Sequence, residues 1–84
     1  MESKWCVYML RCSDNSIYTG ISNNLEKRIE THNRGKGARY TKTRRPVYLE
    51  YSESAPDKGT ALKREHQIKK LTRDEKLLLM CHQP

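Results

Sequence analysis

Trp5-Cys6-Val7-Tyr8-Met9-Leu10-Arg11-Cys12-Ser13-Asp14-Asn15-Ser16-Ile17-Tyr18-Thr19-Gly20-Ile21 is the stretch that decides the fold. Its first eight residues are rich in aromatic and apolar side chains, the composition of a strand. Ser13 to Ser16 is turn chemistry, because Asp and Asn tolerate positive φ and hydrogen-bond their own backbone. Ile17 to Ile21 is a second β-rich run, so the whole reads as a hairpin. A three-residue loop over 14–16 sets Cys12 opposite Tyr18 and puts Tyr8 and Tyr18 on one face. A two-residue loop puts the tyrosines on opposite faces. The residues leave the register open.

Downstream, Asn23 reads as a helix N-cap and Glu26 completes a capping-box-like pattern. Leu25 and Ile29 form an apolar pair one turn apart. Gly35 marks the end of this helix, expected over about 24–34. Residues 36–45 show no periodicity and read as a basic loop. Pro46 opens a third strand, expected near 47–52; it fits an edge strand or the first position of a strand, where a missing N–H does least harm. Pro56 in a first turn starts a second helix, expected over about 56–71. Thr72 and Glu75 form a capping box that starts a third, about 73–81. The expected fold class is α+β, a single domain over 1–84 in which a three-stranded antiparallel-type sheet is flanked by helices in the order ββαβαα.

The chain is short, at 84 residues, and 32% of it is charged. It has no apolar run approaching the ~18 residues of a membrane span, and its first residues are too polar for a signal peptide. Cys6, Cys12 and Cys81 are odd in number and lack C-x-x-C spacing, so they read as reduced thiols in a cytoplasmic protein. His32, His66 and His82 are not spaced with them as a metal site. The net charge is +7, and its position matters more than its size. Lys27, Arg28, Arg34, Lys36, Arg39, Lys42, Arg44 and Arg45 face one acid, Glu30, within a single short stretch. The two flanks are nearly neutral. A focused positive patch attracts a polyanion, and nucleic acid is the commonest one. A membrane surface fits less well, since no basic amphipathic helix accompanies the patch.

Three further features carry chemistry. Arg28 and His32 lie one turn apart and border the apolar stripe of the first helix. Glu65 falls inside the apolar arc of the second, counted from Leu62, and a carboxylate there needs a cation, a hydrogen bond or a metal. Tyr8 and Tyr18 sit on the two hairpin strands. Val7-Tyr8-Met9, Tyr18-Thr19-Gly20, Arg28-Ile29-Glu30-Thr31-His32-Asn33, Gly35 to Thr41, Arg45-Pro46-Val47 and Glu65 occur in the order of the GIY-YIG nuclease superfamily. The chain resembles that superfamily over almost its whole length, most of all its small stand-alone bacterial proteins. It is also similar to the nuclease domain of structure-specific endonucleases that resolve branched DNA.

The resemblance implies a metal-dependent phosphodiesterase acting on DNA. Glu65 would bind one Mg²⁺ or Mn²⁺. Arg28 would offer a fork of donors to the phosphate. Tyr8 or Tyr18 would handle the attacking water, with His32 as acid, base or positioning group. Gly20 would let the backbone pass close to substrate or helix. Lys27, Arg34, Lys36, Arg39, Lys42, Arg44 and Arg45 would contact phosphates, which positions DNA without reading its sequence. The expected function is a DNA endonuclease of repair or recombination, cutting branched, nicked or otherwise non-sequence-defined DNA with single-stranded regions among its targets. The alternative is a nucleic-acid-binding module of the same fold that has little activity or needs a protein partner for targeting. Many relatives carry an Asn downstream of the metal Glu; none follows Glu65 here.

Overall fold

The computed structural model describes residues 5–81. Lys4, expected in the hairpin, and His82 lie outside them. The elements are β1 (Trp5–Arg11), β2 (Ile17–Ser22), α1 (Leu25–Asn33), α2 (Arg39–Lys42), β3 (Tyr48–Ala55), α3 (Lys58–Lys69) and α4 (Arg73–Cys81). The expected ββαβαα order holds, with one addition. A one-turn helix, α2, stands where the sequence reads as loop, because a turn so short has no apolar period to reveal it.

β1 is the centre of an antiparallel sheet ordered β2-β1-β3. Tyr8 pairs with Gly20 and Leu10 with Tyr18. The turn is Ser13–Asn15, one residue earlier than the 14–16 loop considered above. The N–H of Cys12 donates to the Ser16 carbonyl at 2.9 Å. Asn15 takes φ 71°, which Asn tolerates better than most residues. Cys12 therefore faces Ser16 rather than Tyr18. The register moves by two residues, so its parity survives and both tyrosines lie on one face.

β1 is buried on both faces, and Val7, Tyr8, Met9 and Leu10 are all fully buried. Val7 and Met9 point to the side of α3 and α4, where they pack with Tyr51, Ala55, Ala61 and Ile68. Tyr8, Leu10 and Cys12 point the other way, onto Val47, Leu25 and Ile29. Each large side chain so buried contributes about 1.5–3 kcal/mol. The sheet thus separates two small cores, and the hairpin tyrosines belong to the one under α1.

Local chemistry sets the helix ends. Asn24, not Asn23, caps α1, accepting the Lys27 N–H at 3.3 Å. Its own N–H donates to Ser22 Oγ at 2.9 Å. Gly35, at φ 82°, ends α1 as expected. The N–H of Lys36 donates to the Thr31 carbonyl and that of Gly35 to the His32 carbonyl, which is a Schellman closure. β3 runs on to Ala55, so Pro56 lies just ahead of α3 rather than in its first turn, and Asp57 is the cap. Thr72 and Glu75 exchange the expected reciprocal bonds, at 2.8 and 3.2 Å. Among the described residues no helix is long and apolar enough to cross a membrane.

α3 corrects the expected apolar arc. Leu62 is 45% exposed, while Ala61 and Ile68 are fully buried. The inward stripe is therefore Ala61, Glu65 and Ile68, at i, i+4 and i+7. Glu65 lies on it more squarely than an arc counted from Leu62 suggests.

Candidate active site

Tyr8 stands over the one residue on β2 that has no side chain. A Cβ on Gly20 would lie 2.6 Å from Tyr8 Oη and 3.1 Å from the Tyr18 ring. Only glycine opposite Tyr8 leaves room for the phenol to cross the neighbouring strand. There it reaches His32, and Tyr8 Oη and His32 Nε2 are 2.9 Å apart. His32 comes from the last turn of α1 and is fully buried. The imidazole is seated by a second glycine, since a Cβ on Gly37 would come within 2.3 Å of His32 Nδ1. Tyr18 lies edge-on to the same imidazole, with ring centroids 5.1 Å apart.

Arg28, one turn before His32, lies beside both groups. Burial is the main reason the Tyr8 phenol is pushed up to about 12; a hydrogen bond from Arg28 and its positive charge act against this. Burial also pushes His32 down to about 4, helped by the Arg28 charge. His32 is therefore a neutral imidazole at physiological pH. Arg28 Nε is buried and has no hydrogen-bond partner among the described residues. Arg28 also borders a surface groove with Ser22, Asn24, Lys27 and Thr31. An incompletely satisfied guanidinium at the mouth of a groove is suited to an anion.

α2 and the loop around it hold the other side of His32. Thr41 is fully buried, with its Oγ1 2.8 Å from His32 Nδ1. Tyr40 stacks on Tyr18, with centroids 6.0 Å apart. Arg44 covers the Tyr40 ring at 4.0 Å and ion-pairs with Asp14 at 2.9 Å. The Ser13 N–H donates to the Arg44 carbonyl at 2.9 Å. The hairpin turn and the 36–45 segment are thereby tied together. Asn33 secures the entry to β3, because its side-chain amide donates to the Val47 carbonyl and accepts the Val47 N–H, at 3.1 and 2.7 Å.

Glu65 is placed differently. Its side chain is 18% exposed and pairs with Lys69 Nζ at 3.2 Å, which meets the need of a carboxylate on an inward stripe. Lys69 in turn lines an open cleft of about 270 Å³ with Tyr18, Thr19, Tyr40 and Lys76. This cleft lies along the outer edge of β2, so Glu65 reaches the tyrosine side of the molecule through its ion-pair partner. No group of three or more His, Cys, Asp or Glu side chains is assembled among the described residues. One carboxylate does not make a zinc centre. It suits Mg²⁺, which keeps several waters and takes one or two carboxylates together with substrate phosphate.

The basic residues divide into two sets. Arg44 is occupied by Asp14 and Tyr40, and Arg45 donates to the carbonyls of Lys42 and Asn33. Arg34 pairs with Glu30 at 3.0 Å. Lys27, Lys36, Arg39 and Lys42 are exposed and have no ion pair among the described residues. Lys36, Arg39 and Lys42 border one groove beside Gly37, and Lys27 borders that of Arg28. An open groove of about 780 Å³ between Asn33, Lys42, Thr43, Arg45 and Pro46 touches none of Tyr8, Tyr18, Arg28, His32 and Glu65. The structure thus joins Tyr8, Tyr18, Arg28, His32 and Gly20 in one cluster, and adds Thr41, Gly37 and Tyr40, which the sequence places in the Gly35–Thr41 motif without assigning them a role.

The sequence model described as the GIY-YIG catalytic domain matches residues 4–77. A UPF0213 protein of Staphylococcus haemolyticus is 53% identical over 78 residues, covering 93% of this chain and 95% of that protein. A UPF0213 protein of Staphylococcus aureus is 54% identical over 74 residues, or 88% and 90%. The solution NMR structure of a UPF0213 protein from Bacillus halodurans superposes with a TM-score of 0.60 at 38% identity, covering 93% of this chain and 83% of that one. That of a protein from E. faecalis gives 0.61 at 33%, covering 93% and 84%. With the family model matching residues 4–77 and relatives above 50% identical over most of their length, the chain belongs to the GIY-YIG catalytic domain family, which is of the nuclease type, and is similar to its small UPF0213 members.

Proposed function

We propose that the protein is a divalent-metal-dependent DNA endonuclease. Its substrate is defined by DNA structure or is independent of sequence, and its role lies in repair or recombination. The observation that carries this reading is the buried Tyr8–His32 pair, 2.9 Å apart, with Arg28 beside it. Phosphodiester hydrolysis needs a water that gives up a proton, donors for the charge on the phosphoryl oxygens and help for the leaving oxygen. Tyr8 is the group to receive the water's proton, because its own proton can shift toward a neutral imidazole. Its resting form is the phenol, since burial holds it near 12. Arg28 offers its planar fork to the phosphate, and Tyr18 walls the same space. Glu65 would hold Mg²⁺ or Mn²⁺, which neutralises phosphate charge and lowers the pKa of bound water. Lys27, Lys36, Arg39 and Lys42 would carry most of the phosphate contacts, which is why no sequence preference is expected.

The test is purified protein with Mg²⁺ on flap, nicked, Y-shaped, Holliday and single-stranded DNA, beside EDTA, Tyr8→Phe and Glu65→Gln. Cleavage of at least one substrate is expected. EDTA should abolish it, and each variant should lower it on the order of 10²–10³-fold, the scale of one preorganised group. DNA binding by Glu65→Gln should hold or improve, since a negative charge leaves the site. Cleavage that is equal in EDTA, or unaltered in Glu65→Gln, would refute the assignment. One observation favours a second reading, a binding module with little activity: Glu65 is paired with Lys69. Salt-sensitive binding without cleavage of any substrate would select it.

A further inference from the structure

We propose that Thr41 is a positioning residue that fixes the direction of the hydrogen bonds through the Tyr8–His32 pair, holding His32 with its proton on Nδ1 and its lone pair toward Tyr8. The inference rests on the functional reading above only for its catalytic consequence. The direction itself follows from counting donors and acceptors.

Four groups form one line. Tyr8 Oη is 2.9 Å from His32 Nε2, and His32 Nδ1 is 2.8 Å from Thr41 Oγ1. Thr41 Oγ1 is 3.1 Å from the Ala38 carbonyl, to which it can only donate. A neutral imidazole has one N–H and one lone pair, so the line can run in two directions. In the first, Tyr8 O–H donates to Nε2, Nδ1–H donates to Thr41, and Thr41 O–H donates to Ala38. Every proton is then used. In the second, Thr41 O–H donates to Nδ1 and Nε2–H donates to Tyr8. The Thr41–Ala38 bond is then lost, and the Tyr8 O–H is left to find another acceptor.

Among the described residues, His32 is the one acceptor at hydrogen-bond distance from the phenol oxygen. The Tyr8 ring is fully buried, and its oxygen lies over the bare Cα of Gly20. Arg28, whose charge acts on the phenol, has donors only. An Nε2–H would add a further donor while the phenolic proton stayed unpaired. A buried donor without a partner is the costlier fault. The Ala38 carbonyl also accepts the Lys42 N–H at 3.0 Å, so the first turn of α2 anchors the end of the line. Gly37 presses against the imidazole at Nδ1, so the ring has no room to turn away from Thr41.

In this direction His32 accepts from Tyr8, and the lone pairs of the phenol oxygen stay free to accept a proton. With water at the phenol oxygen, one water proton passes to Tyr8 Oη and the original Tyr8 proton moves to His32 Nε2. The hydroxide oxygen forms the new bond to phosphorus while the bond from phosphorus to the leaving strand's oxygen breaks, and that alkoxide takes its proton from solvent. His32 becomes an imidazolium that Thr41 still accepts from. With the proton on Nε2 the same residues could not begin this transfer.

The tautomer is read from long-range proton–nitrogen NMR spectra of the full chain, with His32 assigned by comparison with His32→Gln. Expected is a wild-type His32 protonated on Nδ1, a Thr41→Ser variant like wild type, and a Thr41→Val variant in which the Nε2–H form rises by tenfold or more, the scale of one unpaired buried group. If the assigned activity is present, Thr41→Val should lower kcat about 10–100-fold with DNA affinity unchanged, and Thr41→Ser should restore it. A wild-type His32 protonated on Nε2 would overturn the proposal, and so would a Thr41→Val variant that keeps the Nδ1–H form. Should Thr41→Val not fold, the wild-type and Thr41→Ser spectra decide alone. A protein that cuts no DNA yet shows these tautomers would refute the function and leave the hydrogen-bond direction standing.

Discussion

Replacing Gly20 by alanine tests the geometry of the site without removing any of its polar groups. The added methyl would lie 2.6 Å from Tyr8 Oη and 2.8 Å from Tyr8 Cζ, against the 3.4 Å at which ordinary contact begins. The phenol must therefore retreat by several tenths of an ångström. It has little room, because the ring is fully buried against Leu10, Leu25 and Ile29. Its bond to His32 has a tolerance of only about 0.3 Å, and His32 cannot follow freely while Thr41 and Gly37 hold it. Overpacking of this kind costs about 1–3 kcal/mol, and a lost buried hydrogen bond adds about 1 kcal/mol. The expected loss is about 2–4 kcal/mol, a large part of the ~4–13 kcal/mol a chain of this size holds. Gly59 supplies the control. It lies in the first turn of α3, and a Cβ there meets nothing closer than 3.5 Å, so Gly59→Ala should stabilise by about 0.5–1 kcal/mol. Urea unfolding followed by circular dichroism measures both. A Gly20→Ala protein as stable as wild type, with Tyr8 and His32 still bonded, would refute the claim that glycine is required opposite Tyr8.

Stability should also depend on pH through His32. Its folded pKa, about 4, lies below the ~6.5 of an unfolded histidine, so the unfolded chain takes up the proton first. Stability should fall as pH drops from about 6.5 toward 4, by up to about 3 kcal/mol, and this slope should vanish in His32→Gln; a wild-type slope no steeper than the variant's would contradict it. Thr72→Ala should cost about 0.5–2 kcal/mol in urea unfolding through loss of the α4 cap, and an unchanged midpoint would count against that role. DNA affinity should fall steeply with salt, by about 0.9 in log–log slope per phosphate contacted. Changing Lys36, Arg39 and Lys42 together to alanine should weaken binding to all sequences alike, which a binding titration against salt would check.

Much of the fold was legible because its signals are local. The hairpin, the Gly35 stop and the Thr72–Glu75 box are each written within a few neighbouring residues. The turn stayed open because Ser13 and Asp14 are both good turn residues, and only the left-handed conformation of Asn15 decides between them. The observed loop keeps the parity of the three-residue alternative, with Tyr8 and Tyr18 on one face. The inward stripe of α3 was harder, because its first member is Ala61. A small buried residue gives little hydrophobic signal, whereas the exposed Leu62 gives a misleading one. The role of Thr41, the last residue of the Gly35–Thr41 motif, was hidden for another reason. Thr41 is a polar residue in a basic stretch, and its partner, His32, is met only through tertiary packing.

The sheet order has a consequence for how the chain is assembled during synthesis. β1 is the central strand, yet its partner on one side follows within a few residues, while β3 arrives only at Tyr48–Ala55. Everything that builds the Tyr8–His32 cluster has been made before the second edge of β1 can be closed. A hairpin that formed before β3 was made would leave one apolar edge of β1 bare. Such an edge is a template for pairing with a neighbouring chain. Exposed charge on the 27–45 segment keeps such intermediates apart by repulsion. The same positive stretch that faces a polyanion in the finished protein thus guards the unfinished one against its own copies.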